Sequence, residues 1–257
     1  MKPELMKNIL ASALMMSAGL MISCNENTES GQQTVAEPEV AQDNTLTEAE
    51  KADGWKLLFD GQSTDGWRGY NQEELPDSWV VENGTLKSLG QGGDVGGDIV
   101  YDTQPFANFE LTLDWKIEEG GNSGIFYHIV EGEEYPVAYY TAPEFQLIDQ
   151  DGFPEELEPW QSLGGDYGMY DPDYEGALRP AGEWNTARIV FTEDKVEYYL
   201  NGKKTVEFEP WSEDWKRRKE EGKWKDFPDY GEAKSGLIGL QDHGSYIWFK
   251  NIKIKEL

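Results

Sequence analysis

The sequence is poor in the residues that build the commonest chemical motifs. It holds one cysteine, Cys24, so it can form neither an intrachain disulfide nor a paired-cysteine zinc site. It holds two histidines, His128 and His243, and no HExxH arrangement. Positive charge is scarce: 22 Lys and Arg stand against 50 Asp and Glu, for a formal charge of −28. Such a field repels phosphate backbones and excludes nucleic acid as a partner. The glycine-rich run GQGGDVGGD (90–98) is no phosphate loop, because GxGxxG from Gly90 would need glycine where Val95 stands, and no Walker lysine follows. Asp94, Asp98 and Asp102 match no calcium-loop spacing.

Long apolar runs are absent too, save near the start. Met1–Lys7 carries two lysines, Asn8–Ile22 is apolar and small, and Met21-Ile22-Ser23 precede Cys24. The run is short for a spanning helix. It reads as a signal peptide (1–23) ending in a lipobox, with cleavage before Cys24 and lipid attached there. The protein is therefore expected to be exported and held as a membrane-anchored lipoprotein facing the periplasm or cell surface. Residues 24–46 are polar and acidic without apolar period, which predicts a flexible tether. The remainder, 47–257, reads as one domain.

Aromatics are plentiful, with 10 Trp, 13 Tyr and 10 Phe. Thr47 with Glu50 predicts a capped short helix that stops at Gly54. Beyond it the chain is β in character. Asn83-Gly84 and Asn201-Gly202 predict hairpins, and Phe109, Leu111, Leu113, Trp115 and Ile117 alternate with polar neighbours. About ten strands at such spacing indicate an all-β sandwich of two antiparallel sheets. A second helix is predicted after Ser212, with acids in its first turn and Gly222 at its end, packing Trp211 and Trp215 on the sandwich.

Three strands carry polar side chains in a pattern unlike packing. Alternation puts Asn122, Gly124, Phe126 and His128 on one face, Glu144 and Gln146 on one face, and Gln241 with His243. A wet outer face needs no function for its polar residues. Such faces more often carry Lys, Thr and Glu than His, Gln and Asn beside aromatics. A groove binding a polyhydroxylated ligand is the sharper expectation, with Tyr139, Tyr140, Trp160, Tyr167, Tyr170 and Trp184 as walls.

The segments GWKLLFDG, GGNSGI, PEFQLID, RPAGEWNTARI, YYLNG and GLIGLQDHGSYIWFKNIKI, in this order, resemble the 3-keto-disaccharide hydrolase domain family over Gly54–Leu257. The resemblance implies a concanavalin-like jelly roll acting on sugars oxidised at C3. It also implies an exported lipoprotein working beside a separate sugar 3-oxidoreductase. One departure is His128, where many members carry Arg.

For a 3-keto sugar the expected route is abstraction of the C2 proton, elimination of the C1 substituent and hydration. His243, Glu144 and His128 are the candidate catalytic groups, His243 first because histidine titrates near neutrality, with Glu144 the alternative base. Asn122, Gln146, Gln241, Asp149, Asp242, Tyr170, Trp184 and Lys223 are candidates for substrate binding. Asp149 and Asp242 fall on opposite faces by count and serve equally well as turn formers. The sequence identifies no cofactor, and a divalent metal held by His and carboxylate is neither demanded nor excluded. A non-catalytic glycan-binding module and an envelope adhesion domain remain alternatives at this stage, because the same sandwich commonly serves as a lectin.

Overall fold

The computed structural model describes residues 42–93 and 97–257. The expected signal peptide, Cys24, most of the tether and Asp94 lie outside the described residues. The tether ends sooner than Leu46, the boundary read from composition. Asn44 is buried, exchanges hydrogen bonds with Asn251 (Asn44 N to Oδ1, 2.6 Å; Asn251 N to Asn44 Oδ1, 2.8 Å) and donates to the Gly84 carbonyl. Asp43 pairs with Lys250 at 2.7 Å, so the folded unit already includes it.

In chain order the strands are β1 (Trp55–Leu57), β2 (Trp67–Gly69), β3 (Trp79–Glu82), β4 (Thr85–Leu89), β5 (Ile99–Phe106), β6 (Phe109–Ile117) and β7 (Asn122–Ile129). There follow β8 (Glu144–Ile148), β9 (Asn185–Phe191), β10 (Val196–Leu200), β11 (Lys203–Phe208), β12 (Gly236–Leu240) and β13 (Tyr246–Glu256). The helices are α1 (Glu48–Ala52), before β1, and α2 (Glu213–Glu221), between β11 and β12. Local chemistry explains their ends. Thr47 and Glu50 form the reciprocal capping box of α1. The Ser212 side chain accepts from Trp215 N at the start of α2, and Gly222 closes it. Asn83-Gly84 and Asn201-Gly202 take positive φ at both positions, the primed-turn geometry that matches strand twist, and join β3 to β4 and β10 to β11.

All strand pairs are antiparallel. The larger sheet runs β11-β10-β9-β6-β13-β4-β3 with β1 also on β13; the smaller runs β2-β5-β12-β7-β8. Together they make a concanavalin-like jelly-roll sandwich with few helices. The inner faces meet in one core, to which β6 gives all five of its alternating apolar residues, β8 gives Phe145 and Leu147, and β12 gives Ile238 and Leu240. Burial of each such side chain contributes roughly 1.5–3 kcal/mol, so the register of these strands is strongly held. The opposite faces of β7, β8 and β12 are thereby turned away from the larger sheet, and there the polar residues gather.

Strand β7 breaks its own alternation. Leu237 pairs with Ile129 but Gly239 pairs with Phe126, so β7 carries one residue more than β12 between these points. His128 takes up the surplus at φ 54°. This is a β-bulge, and it changes which face the following side chains meet.

Candidate active site

A cavity of about 340 Å³ opens on the outer face of the smaller sheet. Strand register builds its floor. Asn122 pairs with Ile148, Gly124 with Gln146 and Phe126 with Glu144, which places Asn122, Glu144 and Gln146 side by side on β7 and β8. Beyond β12, Gln241 N donates to the Gly124 carbonyl at 3.0 Å, extending the ladder so that Gln241 and then His243 reach the same hollow. Tyr139, Tyr167, Trp224 and Phe227 form walls, and Lys223 stands at the side. Six residues expected from sequence thus converge: Asn122, Glu144, Gln146, Gln241, His243 and Lys223. So do two of the expected wall aromatics, Tyr139 and Tyr167. Tyr140 packs behind, 5.0 Å from the Phe227 ring and 5.6 Å from Tyr139.

The polar floor is not satisfied by the protein. Asn122 Oδ1, Gln146 Oε1 and Gln241 Oε1 are buried with no hydrogen-bond partner. The Gln146 Nε2 donates to the Gln161 carbonyl at 3.1 Å, which fixes the amide and leaves its oxygen unmatched. Each unmatched buried acceptor costs about 1–3 kcal/mol. Three around one cavity mark places where ligand hydroxyls would donate.

Glu144 is 4% exposed, and its carboxyl holds a proton well above the ordinary range. Burial is the chief cause and the negative charge of Asp98 adds to it, while Lys223 opposes. Room for this side chain comes from Gly124, since a Cβ there would meet the Glu144 carboxyl. The Lys223 ammonium is itself made more acidic by burial, with Glu144 acting in the opposite sense. Asp98, just before β5, is pushed up to about 7 by burial, although the hydrogen bond from Asp242 N opposes the shift.

Other expected site residues lie elsewhere. The bulge carries His128 to the core side of β7, where it packs edge-on against Phe191 with ring centres 4.4 Å apart and meets Phe109 and Tyr127. Its Nε2 pairs with the Ala107 carbonyl at 2.9 Å, and burial lowers its proton affinity to about 4. His128 is a neutral core residue. Tyr170 stacks on Phe208 at 4.4 Å and donates to Asp214, off the cavity. Trp184 lies with Lys116 and Lys250 over its ring, beside two strands of the larger sheet, β6 and β13. Asp149 accepts from Gly120 N and Gly152 N, and Asp242 from Gly92 N and Gly244 N; both fix turns. The same Asp242 stands against Gly92 and Gly97. Gly92 and Gly97 approach so closely that a Cβ on either would clash with the other's backbone.

Among the described residues no three His, Cys, Asp or Glu side chains cluster as a metal site. Trp224 and Phe227 come from an irregular segment after α2 with no period to read, so the sequence does not single them out. Asp98 stands out in sequence only as one of three aspartates that match no calcium loop, and Asp166 carries no signal. Asp166 lies buried beneath the site with Oδ2 unmatched, and burial holds its proton well above the usual range.

The family model for the 3-keto-alpha-glucoside-1,2-lyase-like domain matches residues 54–255. A 3-keto-disaccharide hydrolase of Bacteroides thetaiotaomicron is 32% identical over 282 aligned positions, which cover 95% of this chain and 97% of that protein. Two crystal structures from Parabacteroides distasonis ATCC 8503, whose glycosyl hydrolase designations are themselves inferences, are also similar. One is 44% identical with a TM-score of 0.78, covering 84% of this chain and all (100%) of the other. The second is 28% identical with a TM-score of 0.61, covering 79% and 99%. Taken with the sandwich and its cavity, these matches establish that the chain belongs to the 3-keto-alpha-glucoside-1,2-lyase-like family.

Proposed function

We propose that this protein is a glycoside-cleaving enzyme whose substrates are 3-keto-disaccharides or 3-keto-glucosides. The observation that carries the reading is the joint presence, in one cavity, of three unmatched amide acceptors, a carboxyl that keeps its proton and an imidazole. The amides suit sugar hydroxyls. The carboxyl and imidazole supply an acid and a base. Family membership and the hydrolase name of the 32% identical relative support the same class of reaction.

An ordinary glycosidase works through two carboxylates and an oxocarbenium-like transition state. A ketone at C3 permits a different course, because it acidifies the hydrogen on C2. In our reading His243 takes the C2 proton and the electron pair is held as an enolate on the C3 oxygen. Collapse of the enolate forms the C1–C2 double bond and expels the C1 oxygen, to which Glu144 gives its proton. Water then adds across that bond. Its oxygen goes to C1, its released proton returns to Glu144, and His243 returns a proton to C2. The sum is hydrolysis of the glycosidic bond. The bridging amides of Asn122, Gln146 and Gln241 orient the ring hydroxyls, and Lys223 draws on substrate oxygen at the mouth.

The ketone must be introduced by a separate sugar 3-oxidoreductase. The lipobox supports export and anchoring through Cys24. Palmitate labelling of the expressed protein should be lost in Cys24→Ser. The enzymatic reading is tested by incubating purified protein with a 3-keto-disaccharide and with its unoxidised parent, followed by chromatography. We expect release of free sugar from the oxidised compound alone, with deuterium at C2 exchanging into solvent. Equal cleavage of the parent would overturn the substrate class, and retention of the label would overturn elimination.

A further inference from the structure

Lys223 belongs to two hollows at once. One is the cavity already described. The other, about 530 Å³, is lined by Trp160, Gly168, Met169 and Asp171 together with Arg217, Arg218 and Glu221 of α2, and there Glu221 lies 3.6 Å from Arg217. The lysine reaches this place because position 168 is glycine. Gly168 has φ +74°, and a Cβ there would stand 3.0 Å from Lys223 Cδ and 2.9 Å from Trp224 Nε1. Its ammonium then sits among three rings, 4.8 Å from the centre of Tyr167, 5.4 Å from Trp224 and 5.5 Å from Trp160.

The charges around the second hollow are mostly spent. Arg217 and Arg218 both bond Asp214, at 2.5 and 2.8 Å, and Arg218 also donates to the Met169 carbonyl. Lys223 differs: among the described residues no carboxylate or carbonyl lies within hydrogen-bond distance of its ammonium, in a chain with 50 acidic side chains. What the second hollow offers is therefore an aromatic and thioether surface between the Lys223 ammonium, held over rings and not by a carboxylate, and the Asp171 carboxylate. That combination suits an uncharged ring with an apolar face and a polar oxygen at its edge.

The geometry points to a leaving-group subsite: the second hollow holds the neutral pyranose that departs from C1, stacked on Trp160, with the bridging glycosidic oxygen near Lys223. This rests on the function proposed above and assigns its other half. The oxidised ring occupies the cavity of Asn122, Glu144 and Gln241, and the chain of the substrate runs across Lys223. A disaccharide spans both hollows, whereas a methyl glycoside fills one.

The test compares a 3-keto-glucosyl-glucose with methyl 3-keto-glucoside, each of which loses an alcohol from C1. For the wild-type protein we expect a KM at least about tenfold lower for the disaccharide, the scale of one good aromatic contact with its added burial. In Trp160→Ala that advantage should shrink to about twofold or less, and Trp160→Phe should restore most of it. Equal KM values for the two substrates in the wild-type protein would overturn the subsite without any variant. An undiminished advantage in a folded Trp160→Ala would overturn it as well. In both cases cleavage of the methyl compound would leave the proposed function standing. If the wild-type protein cleaves neither compound, the function itself falls and the subsite with it.

Discussion

The carboxyl of Glu144 rests where a side chain on Gly124 would have to be: a Cβ there would clash with Oε1 and stand 2.8 Å from Cδ. The two residues lie on neighbouring strands, and Gly124 does not take the positive φ that would require glycine for backbone reasons. The demand for glycine is steric and concerns the acid. Gly124→Ala should therefore fold, because the carboxyl is the movable end of a side chain, yet it should displace that end by about 1 Å and lower turnover by about 100-fold. Kinetics on a 3-keto-disaccharide alongside a thermal melt checks this. Near wild-type turnover would mean that the position of Glu144 is unimportant.

Direct replacement of the two titratable groups is the companion prediction. Glu144→Gln keeps shape and removes the transferable proton; His243→Ala removes the imidazole from the rim. Each should lower turnover by about 100-fold or more, the general acid–base scale, with circular dichroism unchanged. The alkaline limb of the wild-type pH profile should vanish in Glu144→Gln if the protonated carboxyl is the acid.

How far these features were readable depends on how local their causes are. The two Asn-Gly turns, both helix caps and the apolar alternation of β6 follow from neighbouring residues, and all stand as expected. Glu144, Gln146 and Asn122 could be placed because β7 and β8 keep a strict period of two up to Phe126. His128 could not, since one surplus residue against β12 reverses the count and no residue in SGIFYHI announces it. Asp242 stays open in the sequence for a related reason: a carboxylate near a glycine can serve ligand or turn, and only the fold brings Gly92 and Gly244 to its oxygens. Trp224 and Phe227 sit in a segment without period, so their place in the wall is a product of tertiary packing alone.

His128 yields a prediction opposite to that for His243. Its ring fills space between Phe109, Tyr127 and Phe191, and its Nε2 satisfies the Ala107 carbonyl. His128→Ala leaves a cavity and an orphaned acceptor, and should cost about 2–4 kcal/mol of stability. Turnover of the folded fraction should be nearly unchanged, because the residue faces away from the cavity. Urea unfolding with kinetics at low temperature separates the two effects, and a folded variant without activity would contradict the placement.

Asp98 ties stability to pH. Its Oδ1 accepts from Asp242 N at 3.1 Å, between the cavity residues Gln241 and His243, and its proton affinity is raised from 3.8 to about 7 by burial, against the opposing effect of that hydrogen bond and with a smaller push from the Asp242 carboxylate. In the unfolded chain the carboxyl loses its proton near the ordinary value, whereas the folded chain keeps it up to about 7. Between these limits the folded state binds the extra proton, so its stability is greatest on the acid side and declines as pH rises toward 7, levelling above. Asn keeps an oxygen for Asp242 N and has no proton to lose, so Asp98→Asn should flatten that decline. The same change removes a negative charge that raises the proton affinity of Glu144, and the alkaline limb of turnover should move to lower pH. Urea midpoints across the window and a pH–rate profile read both effects. Identical stability slopes in variant and wild type would show that Asp98 is not the group that holds the proton.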